Sequence, residues 1–122
     1  MSVPTLLNHL VEHAAARDGD ACALRANGVE FSYTMLAQQV QACAHGLLEL
    51  GVRRGDRVGI FLEKRFEAVV ASFGTAACGA VFVPINPLLK AAQVGHIMRD
   101  SGARILITSA QRLAALGALQ QA

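Results

Sequence analysis

Charge is scarce in this sequence. Asp, Glu, Lys and Arg make up 16% of the 122 residues, against 53% hydrophobic, where a soluble globular domain carries about 25% charged residues. Such a composition excludes intrinsic disorder and leaves more apolar surface than one small domain can cover. The net charge is only +2. Because the Lys and Arg residues are scattered, the chain has no electrostatic footprint for nucleic acid or anionic lipid. Cysteine is sparse as well: Cys22, Cys43 and Cys78 form an odd set with no short metal-type spacing, which argues against a disulfide framework or a zinc cluster and fits a reducing, cytoplasmic compartment. The start of the chain lacks the basic residues and unbroken apolar core of a secretory signal. Residues 68–89 carry no charge over about the length that crosses a bilayer, but Gly74, Gly79, Pro84, Asn86 and Pro87 interrupt them, so a buried helix followed by a buried strand is expected.

What is present is a regular alternation. Thr5 can cap a helix to about Ala16, with Leu6, Leu7, Leu10, Val11 and Ala14 as its apolar face, stopped by Asp18-Gly19-Asp20. Apolar runs on either side of Asn27-Gly28 predict an antiparallel hairpin. Ser32 or Thr34 opens a long helix on which Leu36, Val40, Cys43, Ala44, Leu47 and Leu48 recur at spacings of three and four up to Gly51. Strand and helix then alternate: strand 57–62, helix 66–78, strand 81–85, helix 91–101, strand 104–108, and a last helix from about Ala110. The strands are apolar without alternation, as a parallel sheet covered on both faces requires. The fold class is α/β, a Rossmann-like parallel half sheet flanked by helices and preceded by a small antiparallel hairpin.

Motifs that suggest chemistry are weak. His9-Leu10-Val11-Glu12-His13 has the spelling of a zinc-peptidase helix, but only Glu63 and Glu67 offer a third ligand, so solvent-facing histidines are expected. Residues 74–79 have the glycine spacing of a phosphate loop and continue with Ala80 and Val81 where Lys and Ser or Thr are needed. Close helix packing at Gly74 and a helix end at Gly79 explain the glycines better. No GxGxxG follows a strand, no G-x-S-x-G surrounds a serine, and Cys78 stands at the unreactive end of its helix.

Four stretches in order, Phe31-Ser32-Tyr33 with Leu36, residues 50–60 (Leu-Gly-Val-Arg-Arg-Gly-Asp-Arg-Val-Gly-Ile), residues 79–87 (Gly-Ala-Val-Phe-Val-Pro-Ile-Asn-Pro) and residues 100–104 (Asp-Ser-Gly-Ala-Arg), resemble the N-terminal part of the adenylate-forming enzymes, the AMP-dependent synthetases and ligases, in their acyl-CoA synthetase version. The resemblance implies ATP- and Mg²⁺-dependent conversion of a carboxylic acid to an acyl-adenylate, followed by thioester formation with CoA, in a setting such as fatty-acid metabolism. It implies that residues 1–122 are an incomplete N-terminal subdomain, with no catalytic residue, metal ligand or cofactor site of their own and no activity alone. By position it suggests CoA binding at Asn86, Pro87, Leu88 and Arg112, beside plainer readings as a structural loop and a solvated helix charge. The alternative is a non-catalytic α/β interaction module or one half of a split ligase. The partner expected in either case is the remainder of the ligase chain or a second copy of this one, met through the helix at 66–78 or the edge beside residues 104–108.

Overall fold

The computed structural model describes residues 6–63 and 65–117. Its first helix, α1 (His9–Asp18), begins later than the sequence suggests. Thr5 lies outside the described residues, and residues 6–8 form a tight turn in which the amides of His9 and Leu10 donate to the carbonyls of Leu6 and Leu7. The expected apolar face is also only partly used. Val11 is buried against Leu36 and Val40, whereas Leu6, Leu7 and Leu10 are exposed.

The hairpin follows, β1 (Cys22–Ala26) against β2 (Val29–Ser32). At its tip Asn27 and Gly28 have φ of 51° and 78°, the pair of positive angles that matches a two-residue turn to the twist of its strands. Helix α2 (Tyr33–Glu49) is capped by Ser32, whose Oγ accepts from the Met35 amide at 3.1 Å. It buries Leu36, Val40, Ala44 and Leu47, while Leu48 is left exposed.

The remaining elements are β3 (Arg57–Phe61), α3 (Phe66–Ala77), β4 (Val81–Pro84), α4 (Ala91–Ser101), β5 (Ile105–Thr108) and α5 (Ala110–Ala115). The strands pair in the order β4-β3-β5, all parallel. The central strand is the shared wall of two apolar layers. Val58, Ile60 and Leu62 pack with α2 and α3, whereas Phe61 packs on the opposite face with Ile85, Val94 of α4 and Leu116. Gly59 lies between Met98, Leu106 and Ile85, where an added Cβ would come within 2.7 Å of the Met98 sulfur. In the other layer a Cβ on Gly74 would come within 2.6 Å of the Cys43 sulfur, so the close helix packing expected there is what brings α3 onto α2.

At the amino edge of the sheet the connections are closed by backbone. The Gly55 amide donates to the Gly79 carbonyl at 2.9 Å, Val81 to Asp56 at 2.8 Å and Arg104 to Arg57 at 3.2 Å. Gly51, Gly55, Gly79 and Gly102 all have positive φ, the conformation in which other L-residues are strained. The Asp56 carboxylate accepts from the Arg53 amide at 2.9 Å and from Arg104 at 3.0 Å. No described helix is long and apolar enough to cross a membrane.

Candidate functional site at the carboxyl edge of the sheet

The chain leaves β3 toward α3 on one face, and leaves β5 toward α5, whose C-cap Leu116 packs on the other. Adjacent strands whose exits diverge to opposite faces leave a crevice between their carboxyl ends, the usual ligand position in open α/β sheets. Glu63 follows β3 and Arg112 lies on α5, so the two stand on either side of this crevice.

They meet across it. Arg112 Nε donates to Glu63 Oε1 at 2.9 Å, and its terminal nitrogen lies 2.7 Å from the same oxygen. The other Glu63 oxygen accepts from Arg65, which completes a carboxylate held by two guanidiniums. Those bonds, Arg65 first and Arg112 second, hold the Glu63 carboxyl below the ordinary carboxylate range. Arg112 also donates to the Pro87 carbonyl and lies over the Phe61 ring, 5.6 Å from its centroid. Its backbone amide caps onto Ser109 Oγ at 3.2 Å, and Thr108 Oγ1 donates to the Phe61 carbonyl at 2.8 Å. In the loop after β4, Asn86 Oδ1 accepts from the Leu88 amide at 2.9 Å, a turn that leaves Leu88 83% exposed.

Asn86, Pro87, Leu88 and Arg112 therefore belong to one neighbourhood, with Pro87 and Arg112 in direct contact. A solvated helix charge does not describe Arg112, whose side chain is 25% exposed and bonded on both sides. Glu63 and Arg65 are the residues that sequence reasoning passed over as partners of this loop. Their signal is a charged triplet, Glu63-Lys64-Arg65, directly after the apolar run Val58–Leu62.

The other candidates fall elsewhere. His9 and His13 stack on one face of α1 with ring centroids 5.9 Å apart, while Glu63 is committed to its arginines at the sheet edge. Among the described residues no group of three or more His, Cys, Asp or Glu gathers that could hold a metal ion. Residues 74–79 are the end of a helix rather than a loop opening one, so their amides do not form a phosphate cradle. Cys78 is half-buried at the α3 C-cap and donates to the Thr75 carbonyl. Burial, and then the neighbouring Cys78, push the Cys43 thiol up, away from the reactive thiolate.

The profile of the AMP-binding enzyme family matches residues 11–122, nearly the whole chain. The chain belongs to the AMP-binding enzyme family. Among related proteins, the phosphinothricin tripeptide synthetase PhsC of Streptomyces viridochromogenes is 37% identical over 84% of the chain and 9% of its own length. The N-terminal domain of FACL13 from Mycobacterium tuberculosis, solved with an inhibitor, superposes with a TM-score of 0.90 and 28% identity over 96% of this chain and 30% of that one. The anthranilate CoA ligase AuaEII, solved with anthranoyl-AMP, superposes equally well, at 27% identity over 98% of this chain and 23% of that one. The chain thus spans a small part of the length of the relatives it matches. It has the α/β architecture of the N-terminal domain of adenylate-forming enzymes, in which the hairpin, the parallel strands and the amino-edge turns are placed as the sequence resemblance implies.

Proposed function

We propose that the chain is the N-terminal portion of an AMP-forming acyl-CoA ligase. The whole enzyme would convert a carboxylic acid and Mg²⁺-ATP to an acyl-adenylate and pyrophosphate, and then transfer the acyl group to the thiol of CoA. The observation that carries this reading is the match, along almost the entire chain, to a CoA ligase that holds an acyl-adenylate. In this reading the loop Asn86-Pro87-Leu88 would meet the CoA chain and Arg112 its phosphates; the exposure of Leu88 and the contact of Arg112 with Pro87 support it.

Residues 1–122 alone are inactive in this reading. The lysines of the chain are Lys64 and Lys90, and neither stands in a glycine-rich sequence that could wrap nucleotide phosphates. Calorimetry with Mg²⁺-ATP and a pyrophosphate-release assay on the isolated chain test this, with no release expected and no nucleotide binding tighter than that of a bare phosphate group. A dissociation constant of about 10 μM or tighter, some 7 kcal/mol of binding, would reveal a nucleotide site in these residues. In the full ligase, Arg112→Ala is expected to raise the KM for CoA several-fold while leaving acid-dependent pyrophosphate exchange intact. Thioester release that ignores CoA would overturn the choice of acceptor and favour a second reading, a peptide-synthetase activation domain, which the identity to PhsC supports.

The isolated chain also has reason to associate with itself. Among the described residues strands β4 and β5 each have one unpaired side, and Val81 on β4 is half exposed. Beside β5 an apolar hollow of about 280 Å³ is walled by Phe31, Cys43, Phe66 and Ile107. Sedimentation across a concentration series should show a dimer at micromolar concentration, and a persistent monomer would remove this proposal.

A further inference from the structure

We propose that Arg65 and Arg112 form a binding site for a phosphoryl group, and that Glu63 occupies it as a built-in stand-in for that group. Among the described residues Glu63 is the one carboxylate bonded by two guanidiniums; Glu30 meets only that of Arg25 and Asp56 only that of Arg104. Two guanidiniums converging on one oxyanion are the donor set that suits phosphate oxygens. Their position is the second support, because they stand at the crevice where the exits of β3 and β5 diverge.

One arginine is fixed in advance. Arg112 is held by the Phe61 ring below it and by the Pro87 carbonyl beside it, contacts that persist when the anion is exchanged. Glu63 is held loosely by comparison. Its side chain is 39% exposed and that of Arg65 37% exposed, and ion pairs this open to water are weak. A phosphoryl group carrying two negative charges competes well for such a pair, and the displaced carboxylate swings into solvent. Glu63 thereby keeps the two guanidiniums apart from other anions and sets a threshold for occupancy.

Arg112 is shared with the CoA reading, on which the identity of the phosphate carrier rests, whereas binding of a phosphoryl group by Arg65 and Arg112 is tested without it. The test is calorimetric titration of the 122-residue chain with inorganic pyrophosphate at low salt, comparing wild type with Glu63→Gln, Glu63→Gln/Arg112→Gln and Glu63→Gln/Arg65→Gln, each checked for folding by circular dichroism. Removing the internal carboxylate should tighten binding about three- to tenfold, and either arginine substitution should abolish the gain. Raising the salt to about 0.5 M should shrink it as well. Equal affinity in wild type and Glu63→Gln would overturn the proposal, as would a gain that survives both arginine substitutions. Should Arg112→Gln unfold the chain, the Arg65→Gln arm decides alone. A parallel titration with adenosine 3′,5′-bisphosphate separates the carriers: tighter binding than pyrophosphate supports CoA, while equal binding leaves the phosphoryl site standing and counts against the CoA reading.

Discussion

The two edges of the same three-stranded sheet are closed by different means. At the amino edge, main chain bonds to main chain through turns built on Gly51, Gly55, Gly79 and Gly102, with Asp56 as the one carboxylate involved. At the carboxyl edge, the loops after β3, β4 and β5 are tied by side chains: Arg112 to Glu63 and Pro87, Thr108 to Phe61, Asn86 to its own loop. Backbone closure tolerates few substitutions at its glycines and, Asp56 apart, asks little of the side chains beside them. Side-chain closure can be released and re-formed, so the edge that holds the fold and the edge that can exchange partners are separate in this domain.

Substitutions sharpen that division. The largest effect belongs beneath the carboxyl edge, where Phe61 is 1% exposed: Phe61→Ala should cost about 3–5 kcal/mol in urea unfolding. A loss below 1 kcal/mol would mean that the polar latch, rather than the apolar floor, fixes these exits. Next comes Gly55, with φ of 85° and open space around it, so that conformational strain alone decides. Gly55→Ala should lose about 1–2 kcal/mol, while Gly46→Ala, on an exposed turn of α2, should gain about 0.5–1 kcal/mol. Equal effects at the two glycines would break the case for backbone closure. Asp56→Ala removes bonds to the Arg53 amide and to Arg104, and about 1 kcal/mol of stability should go with them.

The smallest effect on stability is expected at Glu63, and it depends on pH. Its carboxyl is held below the ordinary range, so what it contributes is complete above the carboxylate value of the unfolded chain. That contribution is lost as pH falls through the lowered native value. The difference in denaturation midpoint between wild type and Glu63→Gln should therefore be constant near neutrality and shrink toward zero below about pH 4. A difference that grows on acidification would place the stabilising role on the protonated form.

Much of the amino edge was legible in the sequence because its determinants are local. Ser32 before a periodic stripe, Asn27-Gly28 between apolar runs, and Gly-Asp ahead of an apolar strand each act within a few residues, and the elements they delimit stand where expected. The family resemblance draws heavily on these same turns. The carboxyl edge was legible only in part. Residues 86–88 and Arg112 could be singled out one by one, but their meeting depends on strand order, and the bond from Arg112 to Glu63 joins residues 49 positions apart. No local pattern announces such a pair. The start of α1 was misplaced for a related reason: leucines at 6, 7 and 10 suit a helix face, yet only Val11 finds a layer to enter.

The strand order has a consequence for synthesis on the ribosome. β3 reaches β4 across one crossover helix, but its other side must wait for β5, and Thr108 arrives at the Phe61 carbonyl 47 positions later. Near pairings close sooner than distant ones, so β3, α3 and β4 form the first cooperative unit. Until residue 108 has emerged, the most buried strand of the domain presents a bare hydrogen-bonding edge, and that interval is when a nascent chain has most need of a chaperone.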